Sequence, residues 1–486
     1  MGHFQNLAGK LPGIGAKVAP FAEKIDLALA DDGPRSVAAR SALFAFAVRV
    51  LAAVVAYGGQ VVLARMLGAY EYGVYAIIWV WVVVISVFAG VGFPTGLLRF
   101  IPQLRDEGRI AELRGVIVKG AWFNVGLSTL IAAAGVAVIF AFPDLVSQAF
   151  VMPLVLAAFC LPMLTWVDNT DGVAQAYDWT DLVTVPPFLI RPLLILILFV
   201  AITAVGVPAS ATTAMIATVI GVWAITIGQF LAMRRRLIAK IGKGPMEGSI
   251  SPWIAAAAPM ILVEGFILLM INTDVLVAGW FIPPDQVAVY YAAAKTLALV
   301  HFVSFAIRVA TMHKIAQYHA ANDGPALRRT VADAINWMFW PTVCLTVMLL
   351  FAGRFILGIF GDGFEDGMIF LAILMAGVTV RSAFGPAEAM LTMANAQKTA
   401  AWVYGVVFSI NLCLNLVLIP TTGLVGAAIA TATAMLCEGV LLMIMVRRHL
   451  GIVSFIGVVG RLNRPDDVKP QPSSPADPKA APGPAE

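Results

Sequence analysis

Apolar residues in this chain come in long runs rather than in the short periodic stripes of a water-soluble fold. A helix rises 1.5 Å per residue, so about 20 apolar residues are needed to cross a bilayer. Twelve stretches meet or approach that length: residues 41–64, 75–98, 120–142, 151–167, 185–205, 209–233, 253–272, 287–310, 335–357, 367–393, 401–419 and 424–446. The fourth is short and ends in acids. The alternation of a membrane β-barrel is absent, and in lipid the backbone must satisfy its own hydrogen bonds, so each run predicts a helix. The expected fold class is therefore an all-α polytopic membrane protein with about 12 transmembrane helices.

Composition sharpens this. Of 486 residues, 60% are apolar and 12% charged, against about 25% charged in ordinary soluble domains. The mean hydropathy of +0.89 excludes a water-soluble surface. The net charge of +4 implies no nucleic-acid partner, because placement explains it better than a basic patch. Twenty-five of the 32 Lys and Arg residues fall on the side shared by the termini, Arg65 and Arg354 on the other, and the remainder inside spans. By the positive-inside rule both termini are cytoplasmic. Cys160, Cys344, Cys413 and Cys437 lie within apolar runs without paired spacing, and read as buried small hydrophobes rather than disulfides or metal ligands.

The chain also resembles itself. Gly73-Val74-Tyr75 and Ala288-Val289-Tyr290 lie in register 215 residues apart, and Ala214-Met215-Ile216-Ala217-Thr218 matches Ala427-Ala428-Ile429-Ala430-Thr431 at 213. An even number of helices per half makes the two repeats parallel. The expected organisation is a cytoplasmic tail (1–39), a first six-helix lobe (40–233), a basic cytoplasmic linker (234–252), a second six-helix lobe (253–449) and a cytoplasmic Pro-rich tail (450–486). The last tail, rich in Pro, Ser and Ala, cannot bury apolar area and reads as disordered. The first forty residues lack a signal-peptide core. Their stripe of Leu7, Leu11, Ile14, Val18, Phe21, Ile25 and Leu29 fits either an interfacial amphipathic helix or a loosely ordered tail.

Charged groups at bilayer depth are costly and usually face a cavity or a partner. Arg49, Arg191, Lys295, Arg308 and Arg381 are the intramembrane bases. Arg49, Lys295 and Arg381 lie well inside their spans, and Arg191 stands among Pro186, Pro187 and Pro192 at a broken helix start. Each lines a polar cavity, is held in an internal salt bridge or snorkels to the interface, while Arg99 and Arg308, at helix ends, are placed to snorkel. The acids are Glu264, Asp274, Glu388 and Glu438, with Asp168 and Asp171 ending the fourth span. Glu264, mid-span, along with Glu388 and Asp274, are candidate ion-coupling or cavity acids. Arg381 and Glu388, seven apart, share nearly one helix face, about 10 Å apart. Asn411 and Asn415 are expected to bond across helices, and Gly58, Gly59, Gly385 and Pro386 to mark bends or close packing. No metal cluster and no nucleotide-binding or catalytic motif is present, so neither cofactor nor enzyme activity is expected.

The phrases LARMLGAYEYGVYAIIWVW, GLLRFIP and NLCLNLVLIPTTGLVGAAIATATA, in that order, resemble the polysaccharide-transport branch of the multidrug/oligosaccharidyl-lipid/polysaccharide exporter superfamily, often called Wzx-type oligosaccharide flippases. The resemblance covers residues 36–450. It implies two six-helix lobes around a central cavity, alternating access, and a bacterial cytoplasmic membrane location. The cargo it implies is a polyprenyl-pyrophosphate-linked oligosaccharide, used for surface polysaccharide synthesis. The remaining partners implied are membrane lipid, a polysaccharide polymerase and export machinery. Such a cargo needs a cationic path for its head and lateral access for its tail, making Arg49, Arg381, Lys295 and Arg191 head-group candidates. A MATE-like cation antiporter is the alternative on the same architecture. A membrane-embedded polymerase or ligase is disfavoured, because the longest outer loop holds only about ten residues.

Overall fold

A computed structural model describes residues 34–458 apart from Asn322 and Asn395. The predicted N-terminal amphipathic stripe and the Pro-rich stretch after Arg461 lie outside the described residues. All regular elements among the described residues are helical. They are α1 (Pro34–Ala89), α2 (Phe93–Asp106), α3 (Ile110–Ala141), α4 (Gln148–Ala158), α5 (Leu161–Ala176), α6 (Thr180–Val185), α7 (Arg191–Ala204), α8 (Ala211–Ile241), α9 (Ile250–Phe281), α10 (Pro284–Ala320), α11 (Gly324–Gly358), α12 (Met368–Ser382), α13 (Ala387–Met393), α14 (Gln397–Thr422) and α15 (Leu424–Leu450).

At 56 residues α1 would be about 84 Å long, far more than one crossing. It is two helices meeting at Gly68, whose φ of 73° and ψ of 168° leave the helical region and suit only glycine. Its two legs are the first and second spans. With α1 counted as two legs and the bent α4–α5 pair as one, the described residues hold twelve stretches long and apolar enough to cross a membrane, in the predicted order.

Three predicted spans prove discontinuous. The second breaks at Gly90–Gly92, where Val91 and Gly92 take φ of 49° and 66°, and resumes as α2. The fourth bends by 43° between α4 and α5. The tenth ends α12 at Ser382, passes Gly385 at φ 65°, and restarts as α13. The seven-residue spacing that put Arg381 and Glu388 on one helix face therefore does not apply, because the helix stops between them.

The two lobes share one hydrophobic core at the end away from the termini. There Leu63, Tyr72, Ile78 and Met215 of the first lobe pack with Val275, Tyr290, Phe360 and Leu371 of the second. At the opposite end the core divides. One cluster gathers Phe93, Leu97, Leu113, Val116 and Met233; another gathers Val331, Ile335, Met390, Val403 and Leu442. α9 is the exception, since its Ala257 packs into the first lobe's cluster.

The shared end is closely sealed. Arg65 Nε donates to the Ile359 carbonyl at 2.6 Å, at the C-terminus of α11, and Tyr57 pairs with Thr296 at 2.9 Å. The Tyr72 ring packs against Tyr291 and Phe364. A Cβ on Gly73 would come within 1.8 Å of the Pro284 carbonyl oxygen, so the backbones meet where only glycine fits.

The internal repeat is physical as well as textual. Tyr75 hydrogen-bonds Thr218 at 3.2 Å in the first lobe. Their counterparts Tyr290 and Thr431 both donate to Asp274 in the second, at 2.5 and 3.3 Å.

Large apolar side chains such as Trp122, Leu130, Phe140, Phe351 and Phe355 point outward around the bundle. Among the cysteines, all free, Cys160 is buried but Cys344 and Cys413 are exposed, correcting the expectation that all four are buried. Lipid tails solvate an apolar thiol as well as a core does, so hydropathy does not distinguish the two environments. Gly58 and Gly59 lie in an unbroken stretch of helix with nothing within 4 Å of a would-be Cβ, so they mark neither a bend nor close packing.

Candidate functional site

The charged residues of the second lobe converge on a cavity of about 560 Å³ lined by α9, α10, α12, α13, α14 and α15. Lys295, His301 and Arg308 enter from α10, Arg381 from the last turn of α12, Glu388 from α13, and Asp274 and Glu438 from α9 and α15. The break at Ala383–Pro386 makes this arrangement possible by carrying Glu388 to another wall. Gly385 is pinned there, since a Cβ would lie 2.3 Å from Ile335 Cγ1.

Two ion pairs cross the cavity walls. Arg381 donates bidentately to Glu438, Nε to Oε2 at 2.8 Å and Nη2 to Oε1 at 2.5 Å. Arg308 donates a single 3.2 Å bond to Glu388, so it does not snorkel as its helix-end position implied. Lys295 has no carboxylate partner among the described residues, and its ammonium lies 4.6 Å from the centroid of the Tyr291 ring. Asp274 is buried and satisfied by Tyr290, Thr431 and the Val275 amide.

Lys295 also lines a second, largely apolar cavity of about 390 Å³ between the lobes. Val50, Ala53, Val54 and Trp79 of α1 form one wall, Ala298 and Leu299 of α10 the other. Tyr291, Lys295 and Ala298 belong to both cavities, so a chamber lined by paired charges adjoins an apolar groove at the carboxylate-free Lys295.

The other predicted residues lie elsewhere. Arg49 is within α1, but its side chain lies outside the described residues. Arg191, beside the π-helical turn Pro186–Ile190, faces Asp168 and Asp171 in the first lobe, away from the second-lobe cavity. Asp171 accepts a 2.9 Å bond from Gln229. Glu264 accepts from Thr95 across the lobe boundary and is not a lone carboxylate. Asn411 and Asn415 bond to each other along one helix, not across helices: the Asn415 amide donates to the Asn411 backbone carbonyl at 2.9 Å. Glu438, Arg308 and His301 line the cavity although none is among the site residues expected from the sequence. The intramembrane charges of Glu438 and Arg308 were the available signal, but their partners sit on other helices.

Comparison with known proteins fits this architecture. A family model described as polysaccharide biosynthesis protein matches residues 38–319, over half of the chain. The chain belongs to that family. The MatE family model matches residues 259–417, and the two matches together place the chain within the wider exporter superfamily. A probable low-salt glycan biosynthesis flippase, Agl15 of Haloferax volcanii, is 25% identical over 173 residues, which are 35% of this chain and 36% of that protein. The alignment thus spans about a third of that relative's length. Among solved structures, the lipid II flippase MurJ in an inward closed conformation aligns at TM-score 0.66 with 17% identity, covering 83% of this chain and 87% of that one. An inward-facing multidrug resistance MATE family transporter aligns at 0.68 with 12% identity, covering 86% and 100%. At these identities the likeness to both structures is one of fold.

Proposed function

We propose that this protein flips a polyprenyl-pyrophosphate-linked oligosaccharide across the bacterial cytoplasmic membrane by alternating access, for synthesis of a surface polysaccharide. Its tails are cytoplasmic in this reading, and a polymerase and export machinery act on the product. The observation that carries the proposal is the junction at Lys295. A chamber holding Lys295, Arg308 and Arg381 meets an apolar groove between α1 and α10, matching an amphiphile with an anionic joint between head and tail. The diphosphate would engage Lys295 as a point charge and the Arg forks through paired oxygens. Arg49, Arg191, and the acids Glu264, Glu388 and Asp274 keep their proposed roles as head-group and ion-coupling candidates. Of these acids Asp274 is the most deeply buried at the cavity wall.

The test is complementation of a flippase-deficient strain, with membrane-inserted protein measured for every variant. Lys295→Ala is expected to lose glycan export while the protein persists, and Arg381→Ala to lose export together with part of the inserted protein, because it strands the buried Glu438 carboxylate. Losing one charge-assisted bond removes about 1.5–3 kcal/mol, or one to two decades in affinity. Lysine at position 381 should retain partial export. Normal export by the double alanine variant would sink the proposal.

A second reading, antiport of organic cations, draws on the three carboxylates Asp274, Glu388 and Glu438, which equal the cavity's Lys and Arg residues in number. Drug susceptibility of the same strain separates the two.

A further inference from the structure

The second-lobe cavity offers its strongest anion-binding group already occupied. The Arg381 fork is engaged by Glu438 through two bonds, a geometry that a phosphate or carboxylate ligand would itself adopt. We propose that Glu438 is a built-in counter-anion: it holds the Arg381 fork while the cavity is empty, and an anionic cargo must displace it to bind. The inference rests on the head-group reading above and assigns Glu438 a role in setting how tightly that head group is held.

The two partners are unequally placed. Both side chains line the cavity, but that of Glu438 is 2% exposed and that of Arg381 is 24% exposed, so the arginine is the partner more open to a ligand. Two of the five guanidinium N–H groups are used, and the other three have no protein partner among the described residues. Glu438 is also fixed rigidly. A Cβ on the adjacent Gly439 would lie 2.3 Å from the Phe384 ring, and one on Gly377 would lie 2.8 Å from Ala432 Cα. α15 is therefore pressed against α12 and the break that follows it, which holds the Glu438 backbone beside Arg381.

Such an arrangement answers a physical problem. A lone guanidinium at bilayer depth is expensive, and breaking a buried pair by removing one partner is strongly destabilising. A transporter that binds an anion must nevertheless return to an empty state. An internal carboxylate neutralises the fork between cycles and competes for it when cargo is bound, which favours release. The looser pair, Arg308 with Glu388, has one bond and side chains 40% and 32% exposed, so its arginine is the easier one to capture. The cargo would then engage Lys295 and Arg308 first, and Arg381 only by exchange with Glu438.

The experiment uses the full chain in nanodiscs, with farnesyl diphosphate as the anionic probe and farnesol as the control for tail partitioning. Glu438→Gln keeps one acceptor for Arg381 but removes the competing charge. It is expected to bind the diphosphate about tenfold more tightly than wild type. Turnover of the same variant in proteoliposomes should fall, because release is slowed. Glu438→Asp, which keeps the charge on a shorter arm, should tighten binding less, and guards against a Gln variant that does not fold. Unchanged or weaker diphosphate binding by whichever variant is folded overturns the inference and leaves the head-group reading standing. Equal binding of farnesyl diphosphate and farnesol by wild type and variants alike overturns the head-group reading, and this inference with it.

Discussion

Equivalent tyrosines in the two repeats do different work. Tyr75 meets only a threonine hydroxyl, whereas Tyr290 donates to the buried carboxylate of Asp274 at 2.5 Å. A bond to a charged acceptor at a dry site contributes more than a hydroxyl pair. Tyr290→Phe should destabilise the protein by about 1–3 kcal/mol, and Tyr75→Phe by about 0.5–1.5. Thermal unfolding in detergent reads the difference, and equal melting points for the two variants would contradict it. Thr431→Val should fall below Tyr290→Phe, since its bond to the same oxygen is 3.3 Å long.

At the level of helices, glycine marks contact in some places and nothing in others. Gly73 of α1 lies against the Pro284 backbone, and Gly172 of α5 against the carbonyl of Pro94 at the start of α2. Neither obstruction is a flexible side-chain end, so a methyl group must push whole helices apart. Gly73→Ala is expected to cost about 1–3 kcal/mol by overpacking. Gly58→Ala in the same element meets open space and should gain up to about 1 kcal/mol from helix propensity. Opposite signs in the unfolding temperature check both; a stabilised Gly73→Ala would mean that the lobes do not seal at that point.

For the whole molecule, the hydrophobic core is shared between the two halves at the sealed end and divided at the other. In the proposed orientation, with the basic linker facing the cytoplasm, that seal lies on the outer face. In a cysteine-free background, Asp362→Cys in the loop beyond α11 should react with an impermeant maleimide on intact cells. Arg235→Cys near the end of α8 should react only after permeabilisation. The reverse pattern would invert the proposed orientation and the direction of transport.

The sequence alone determined the long apolar helices and their order, and it carried the repeated phrases. Each follows from local facts: run length against bilayer thickness, backbone self-satisfaction, and two phrases repeated at nearly one offset. It also marked which charges needed an explanation, since hydropathy flags Arg381, Lys295 or Glu438 wherever they occur. Tertiary structure alone decided their partners. Glu438 reaches Arg381 from 57 residues away, and Glu388 turns to Arg308 because the tenth span breaks at Gly385–Pro386. Hydropathy also cannot separate lipid-facing from core-facing positions, as Cys344 and Cys413 show. Burial in lipid and burial in protein satisfy an apolar side chain alike, so only helix packing determines which faces meet and where polar groups find each other.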